Sequence, residues 1–143
     1  MIQRRLYGNG TGTAKASCEE LEAVTIIDIL RRAKITVITA GLDAQPVLAS
    51  RGVKLIPDTT LEAVLQQDFD MIVLPGGLPG ADHLNADPRI HQLLQNMNAQ
   101  GKYVAAICAA PKVLADAGLL KNKQMTYYPN VECNTTCPDK IAV

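Results

Sequence analysis

An excess of charge of either sign is missing from this sequence: Lys plus Arg and Asp plus Glu both total 14 in 143 residues, so the formal net charge is zero. A chain without a basic surplus has no electrostatic reason to seek nucleic acid or an anionic membrane, and neither partner is expected. Long apolar runs are also missing, and none approaches the roughly 20 residues that cross a bilayer. The opening Met1-Ile2-Gln3-Arg4-Arg5-Leu6 lacks the apolar stretch and small-residue cleavage site of a secretory signal, which points to a cytoplasmic protein. Imidazoles are scarce. The two histidines, His83 in a loop and His91 on the polar pattern of a helix, read as solvated surface groups. Internal repeats are absent, and the one low-complexity tract is Gly8-Asn9-Gly10-Thr11-Gly12-Thr13. Such a loop cradles phosphate only between a buried strand and a helix start, and residues 1–17 hold no alternating or continuous apolar run to supply the strand. The segment is therefore expected to be flexible, and no cofactor is called for. Four cysteines without an export signal read as reduced thiols. Cys133 and Cys137 lack a second ligand pair, so no zinc or other metal site is expected.

What the chain does contain is an alternation of short β-type runs and helical patterns, enough for one domain with one core. The runs over 35–39, 71–74 and 103–107 are continuously apolar or β-branched, as in strands covered on both faces. Periodicity predicts helices over 18–33, 61–66, 88–100 and 111–117, the third opened by Asp87 as N-cap and Pro88 in its first turn. Residues 47–57 hold two shorter runs around Ser50-Arg51-Gly52 and read as a hairpin or edge excursion. Strands alternating with helices give an α/β fold with a doubly wound parallel sheet. Ligands gather beyond the carboxyl ends of such strands, where Cys108, Gly76 and Gly77 stand.

In Ala105-Ala106-Ile107-Cys108-Ala109-Ala110-Pro111 an apolar run stops at a cysteine, and small residues lead into a helical segment. That is the pattern of a nucleophile elbow, whose sharp turn demands small neighbours such as Ala106, Ala109 and Ala110. A thiol placed there faces the free N–H groups and positive end of the next helix, so its pKa is expected to fall below that of a free cysteine. The competing reading is a buried cysteine serving as a small hydrophobe. On the helix over 18–33, Glu22 falls in line with Ile26, Ile29 and Leu30, which sets a carboxyl on the apolar stripe. Burial disfavours the charged form, so Glu22 is expected to hold a proton that it can pass to and from a neighbouring thiolate. Alternatively the helix rolls and the carboxylate reaches solvent along its edge.

Three segments in register, Cys18-Glu19-Glu20-Leu21-Glu22-Ala23-Val24, Val73-Leu74-Pro75-Gly76-Gly77-Leu78-Pro79-Gly80-Ala81 and the cysteine stretch, resemble the ThiJ/PfpI superfamily, close to its Parkinsonism-associated and YajL-like branch. The resemblance covers about residues 18–129. It implies a flavodoxin-like, class I glutamine amidotransferase-like sheet in three α/β/α layers, in a homodimer. By that likeness Cys108 is the nucleophile and redox-sensitive thiol and Glu22 the carboxylic acid touching it. The N–H groups of Gly77 and Ala109, beside Gly76, would line an oxyanion-binding pocket. Arg51 resembles the arginine that approaches the partner subunit's cysteine loop, and Asp28 with Arg31 and Arg32 falls on the dimer-forming helix. Tyr128 stands where some relatives place a histidine near the sulfur.

The sequence also departs from the pattern. Ala109 occupies the place of a histidine in the protease branch, which weakens a protease reading. Ser17 replaces a glycine. Relatives begin with a buried strand and end with a later strand, a Gly-Pro-Gly-type loop and a closing helix. The fold is therefore expected to be incomplete at both ends, with a ThiJ/PfpI domain over 18–129 between a flexible 1–17 and a divergent 130–143. The activity implied is a cofactor-independent, cysteine-dependent glyoxalase or deglycase chemistry on small reactive carbonyls or their adducts with amines and thiols. Two other readings stay open: a non-catalytic redox sensor or redox-regulated chaperone that holds an oxidised Cys108, and an inactive truncated member of the family.

Overall fold

The computed structural model describes residues 4–9, 18–129 and 131. In chain order the elements are β1 (Arg4–Asn9), α1 (Glu20–Arg32), β2 (Thr36–Gly41), β3 (Val47–Leu48), β4 (Lys54–Leu55), β5 (Thr59–Thr60), α2 (Leu61–Val64), β6 (Met71–Leu74), α3 (Gly80–Ala86), α4 (Pro88–Ala99), β7 (Tyr103–Ala106) and α5 (Pro111–Asp116). Five strands form one parallel sheet in the order β5-β2-β1-β6-β7, and β3 pairs with β4 as a separate antiparallel hairpin. This is the flavodoxin-like α/β architecture expected from the alternation of strands and helices.

Period-two alternation sorts the side chains into two cores. On β6, Ile72 and Leu74 enter the larger core, while Met71 and Val73 face the smaller one; β7 repeats this with Val104 and Ala106 against Ala105. The larger core is closed by Leu61 and Val64 of α2, Leu84 of α3, Ile90 and Leu94 of α4 and Val113 of α5, all essentially inaccessible. Each such aliphatic contributes on the order of 1.5–3 kcal/mol by leaving water. The smaller core holds Cys18, Ala23, Val47, Ala49 and Val73 beneath α1 and the hairpin.

Local chemistry fixes the helix starts. Asp87 caps α4 by accepting the Arg89 N–H at 2.9 Å, and Pro88 fills the first turn, as the sequence predicts. Arg89 then ties that turn to Asp87 at 2.6 Å and to the Leu42 carbonyl at 3.2 Å, so α4 is anchored beyond the end of β2. α1 has no side-chain cap. Its first turn is docked instead, because the Glu19 N–H donates to the Gly76 carbonyl at 2.9 Å.

Several expectations are corrected. Residues 4–9 form a strand, and a central one: β1 pairs with β2 from Arg4↔Thr36 to Asn9↔Gly41 and with β6 from Arg5↔Met71 to Tyr7↔Val73. Arg4-Arg5-Leu6-Tyr7-Gly8-Asn9 carries neither a continuous nor an alternating apolar run, so periodicity along the chain gave no sign of the strand. The expected absence of a first strand is thus corrected, and Gly8 and Asn9 of the glycine tract are the last two residues of β1. Periodicity gives no helix between 66 and 88, yet α3 forms there: Ala81 and Leu84 bury its inner side, and the Ala81 N–H reaches the Gly77 carbonyl at 2.9 Å. His83 consequently sits on a helix, with its Nδ1 buried. His91 is half-buried on α4, with Nε2 3.0 Å from Asn85 Oδ1. Ile29 leaves the Glu22 stripe altogether and lies exposed with Leu21 and Val24 on the outer side of α1. Ser17, Cys133, Cys137, residues 10–13 of the glycine tract and, apart from Val131, the tail after 129 lie outside the described residues.

Candidate active site

β7 ends at Ala106, and two residues later Cys108 adopts φ +59, a left-handed backbone that costs a non-glycine residue on the order of 1–2 kcal/mol. The turn closes where the Ala110 N–H donates to the Ile107 carbonyl at 3.0 Å, while the Ile107 N–H still pairs with Leu74 at 3.2 Å. Buried Ala109 and Ala110 leave room for this elbow. Backbone strain held by such a framework is a mark of a working site.

Glycine at 76 and 77 is a steric requirement. A Cβ on Gly76 would lie 2.6 Å from Cys108 Cβ, 2.7 Å from Glu22 Oε2 and 2.9 Å from the Ile107 carbonyl oxygen. The space a side chain would fill is taken by the Cys108 Cβ, the Glu22 carboxyl and the Ile107 carbonyl. The Gly76 N–H donates to Glu22 Oε2 at 2.8 Å, holding the carboxyl against the sulfur. Gly77 takes φ +93, and a Cβ there would meet the Glu19 backbone nitrogen at 2.5 Å, so the glycine pair also lets α1 approach.

The half-buried Cys108 thiol hydrogen-bonds the Glu22 carboxylate, and the Gly77 and Ala109 N–H groups point at the same sulfur. Its pKa is raised from the ordinary value, first by burial, then by the hydrogen bond to Glu22 and by its charge; the two backbone N–H groups pull the other way. This overturns the expected fall. α5 spans only Pro111–Asp116, beginning beyond the cysteine with a residue that has no N–H, so it offers little dipole against an adjacent carboxylate. Cys18, buried beside Glu20, Glu19 and Glu22, is pushed up to about 12, burial being the main cause. With no donor to oppose that, it is the less ionisable of the two described thiols.

Cys108, Glu22, Gly76, Gly77 and Ala109 thus come together. Tyr128 joins through its backbone, whose N–H donates to the Cys108 carbonyl at 2.8 Å, while its ring is exposed. Arg51 and Asp28 do not reach the sulfur within this chain. The Arg51 N–H donates to Glu20 Oε1 at 2.8 Å, and Asp28 pairs with Arg32 at 2.7 Å on the outside of α1. Sequence reasoning missed the support given by Glu20 and Ser50, which lock the Arg51 turn to the start of α1; both Ser50 groups donate to the Cys18 carbonyl. Among the described residues no group of His, Cys, Asp and Glu is arranged to hold a metal ion, and no helix is long and apolar enough to cross a membrane.

A family model described as the DJ-1/PfpI family matches residues 13–141. The chain is 43% identical to Protein dj-1beta of Drosophila melanogaster over 115 residues, which is 80% of this chain and 62% of that protein. It is 35% identical to the glutathione-independent glyoxalase DJR-1.2 of Caenorhabditis elegans over 123 residues, or 86% of this chain and 62% of that one. The chain therefore spans less than two thirds of the length of these relatives. Among solved structures, oxidized Toxoplasma gondii DJ-1 superposes with a TM-score of 0.83 at 38% identity, over 90% of this chain and 68% of the other.

Proposed function

Because the chain belongs to the DJ-1/PfpI family, we propose that it is a cysteine-dependent, cofactor-independent glyoxalase or deglycase acting on small 2-oxoaldehydes or their amine and thiol adducts. The observation that carries the reading is the cradle at Gly76, which presses Cys108 and Glu22 together in the space of one missing side chain. A relative 35% identical bears the name of a glyoxalase that needs no glutathione, which suits a protein supplying its own thiol.

The pair works as one acid–base unit with a proton to share. With the proton on sulfur, the Glu22 carboxylate accepts; with the proton on Glu22, its O–H donates to a thiolate that the Gly77 and Ala109 N–H groups also stabilise. The thiolate adds to the aldehyde carbon, forming the C–S bond, and the oxyanion collects on those N–H groups and takes the proton from Glu22. Glu22, again a base, removes the hydrogen from the former aldehyde carbon and returns it to the neighbouring ketone carbon, while the hydroxyl proton passes from the first carbon's oxygen to the second's. That carbon is reduced as the first is oxidised to a thioester. Water then cleaves the C–S bond, releases a 2-hydroxy acid and restores the thiol. The sum is the addition of one water, with no external oxidant or reductant.

We also assign the exposed apolar residues Leu21, Val24 and Ile29 of α1 to a homodimer interface, with Arg51 and Asp28 as its polar margin. A cytoplasmic, reducing compartment would keep Cys108 as a thiol. The test is conversion of methylglyoxal to lactate by purified protein without glutathione. Cys108→Ser should abolish it, and Glu22→Gln should lower it by roughly 10²- to 10⁴-fold while Cys108 stays open to alkylation. Parent-level turnover by Glu22→Gln would remove the proton-shuttle role and leave redox sensing through Cys108 as the better reading.

A further inference from the structure

We propose that the mouth around Cys108 is an apolar subsite, so that the favoured substrate is a 2-oxoaldehyde with a neutral aryl or bulky alkyl substituent. The inference rests on the glyoxalase reading and names the substrate class for that site. Leu78, Ile107 and Tyr128 are 50%, 42% and 57% exposed, each large and apolar. All are tied to the atoms around the sulfur. Ile107 directly precedes Cys108, Leu78 follows the glycine whose N–H meets the sulfur, and Tyr128 is fastened by its own N–H to the Cys108 carbonyl.

Water at such a mouth is poorly spent on three large apolar side chains, and a substituent that displaces it gains affinity in proportion to the area covered. The phenol ring of Tyr128 offers a face or edge to an aryl group. Within this chain the charged side chain acting on the sulfur is Glu22, so an anionic substituent meets repulsion from it and a neutral one does not. The α1 residues assigned to the dimer do not account for these three, which lie on the loops at the carboxyl ends of β6 and β7 and after α5.

The test separates the subsite from the activity. The rate of Cys108 alkylation by iodoacetanilide is divided by that by iodoacetamide at one pH, read by peptide mass spectrometry and normalised to glutathione. The parent should prefer the phenyl reagent by about fivefold, a fraction of what one buried methylene gives in a closed pocket. Leu78→Ala and Tyr128→Ala should each bring the ratio toward one. Tyr103→Ala, 73% exposed at the opposite end of β7, should leave it unchanged. The preference in kcat/KM for phenylglyoxal over methylglyoxal should fall in the same two variants. A normalised ratio of one in the folded parent overturns the subsite, as does the full ratio in folded Leu78→Ala and Tyr128→Ala. An alkylation preference that behaves as expected, with neither aldehyde turned over, upholds the subsite and overturns the glyoxalase reading instead.

Discussion

The two faces of the sheet are built to different standards. Beneath α2, α3, α4 and α5 the core is made of large aliphatics such as Leu61, Ile72, Leu74, Leu84, Ile90 and Leu94, all fully buried. Beneath α1 the buried residues are Cys18, Ala23, Val47, Ala49 and Val73, small by comparison, and α1 keeps Leu21, Val24 and Ile29 in contact with solvent. One face holds the domain together through close packing. The other spends its helix differently: α1 turns an apolar side outward and sends Glu22 over the carboxyl end of the sheet to the Gly76 N–H. The active-site pair straddles the division, since Cys108 packs against the larger core while its carboxyl partner comes from the thinner layer.

The largest expected effect lies on the packed face. Leu94→Ala should cost about 2–5 kcal/mol of unfolding free energy, the range for a large aliphatic removed from a close-packed core. By contrast, the double substitution Leu21→Ser and Ile29→Ser should leave the stability of the monomer within about 0.5 kcal/mol, as for surface changes away from special features. It should instead halve the particle mass in light scattering at micromolar concentration. Urea unfolding of both variants sets the contrast; an α1 variant that loses as much stability as Leu94→Ala would break it.

The two described thiols carry the comparison into chemistry. Cys18 lies in the small core with glutamates and no opposing donor, and its pKa of about 12 keeps it a thiol. Cys108 is raised as well, but two N–H groups offset part of the effect. Iodoacetamide at pH 8 should therefore modify Cys108 in the folded protein and leave Cys18 untouched until denaturant is added. Faster modification of Cys18 in a folded sample would reverse the assignment of the reactive sulfur.

What the sequence disclosed, and what it withheld, follows the range of the forces involved. The N-cap at Asp87 and Pro88 and the apolar runs of β6 and β7 are local, and each appears where periodicity and capping place it. β1 was invisible because Arg-Arg-Leu-Tyr-Gly-Asn holds no apolar run, and its pairing with β2 and β6 joins segments far apart in the chain. The direction of the Cys108 shift was misjudged for a similar reason: the elbow and the following helix can be read along the chain, whereas the burial that chiefly raises the thiol, and the Glu22 carboxylate that adds to it, exist only once distant segments have packed around the sulfur. The fit of one missing Cβ at Gly76 among Glu22, Ile107 and Cys108 likewise exists only after three separate segments have met.

The smallest effect concerns how the thin face is fastened at its far end. Asp58 Oδ2 accepts from the Thr39 N–H at 2.8 Å, the Thr39 hydroxyl at 2.9 Å and Arg31 at 2.7 Å, joining α1 to β2. Burial alone would raise its pKa, but Thr39 and the Arg31 charge outweigh that, and the net direction is down from 3.8. A folded pKa below the unfolded one means stability that is present above pH 3.8 and is lost as pH falls through the folded value. Both Arg31 and Asp58 have side chains 47% exposed, so solvent screening holds the contribution of the pair to about 1 kcal/mol or less. Asp58→Asn should thus lower the urea midpoint slightly at pH 7, and the gap should close as the pH is taken below 3.8, where the parent's own carboxylate is neutralised. A gap that persists undiminished in acid would mean that the shape of the Thr39 hydrogen bonds, rather than the charge on Asp58, ties α1 to the sheet.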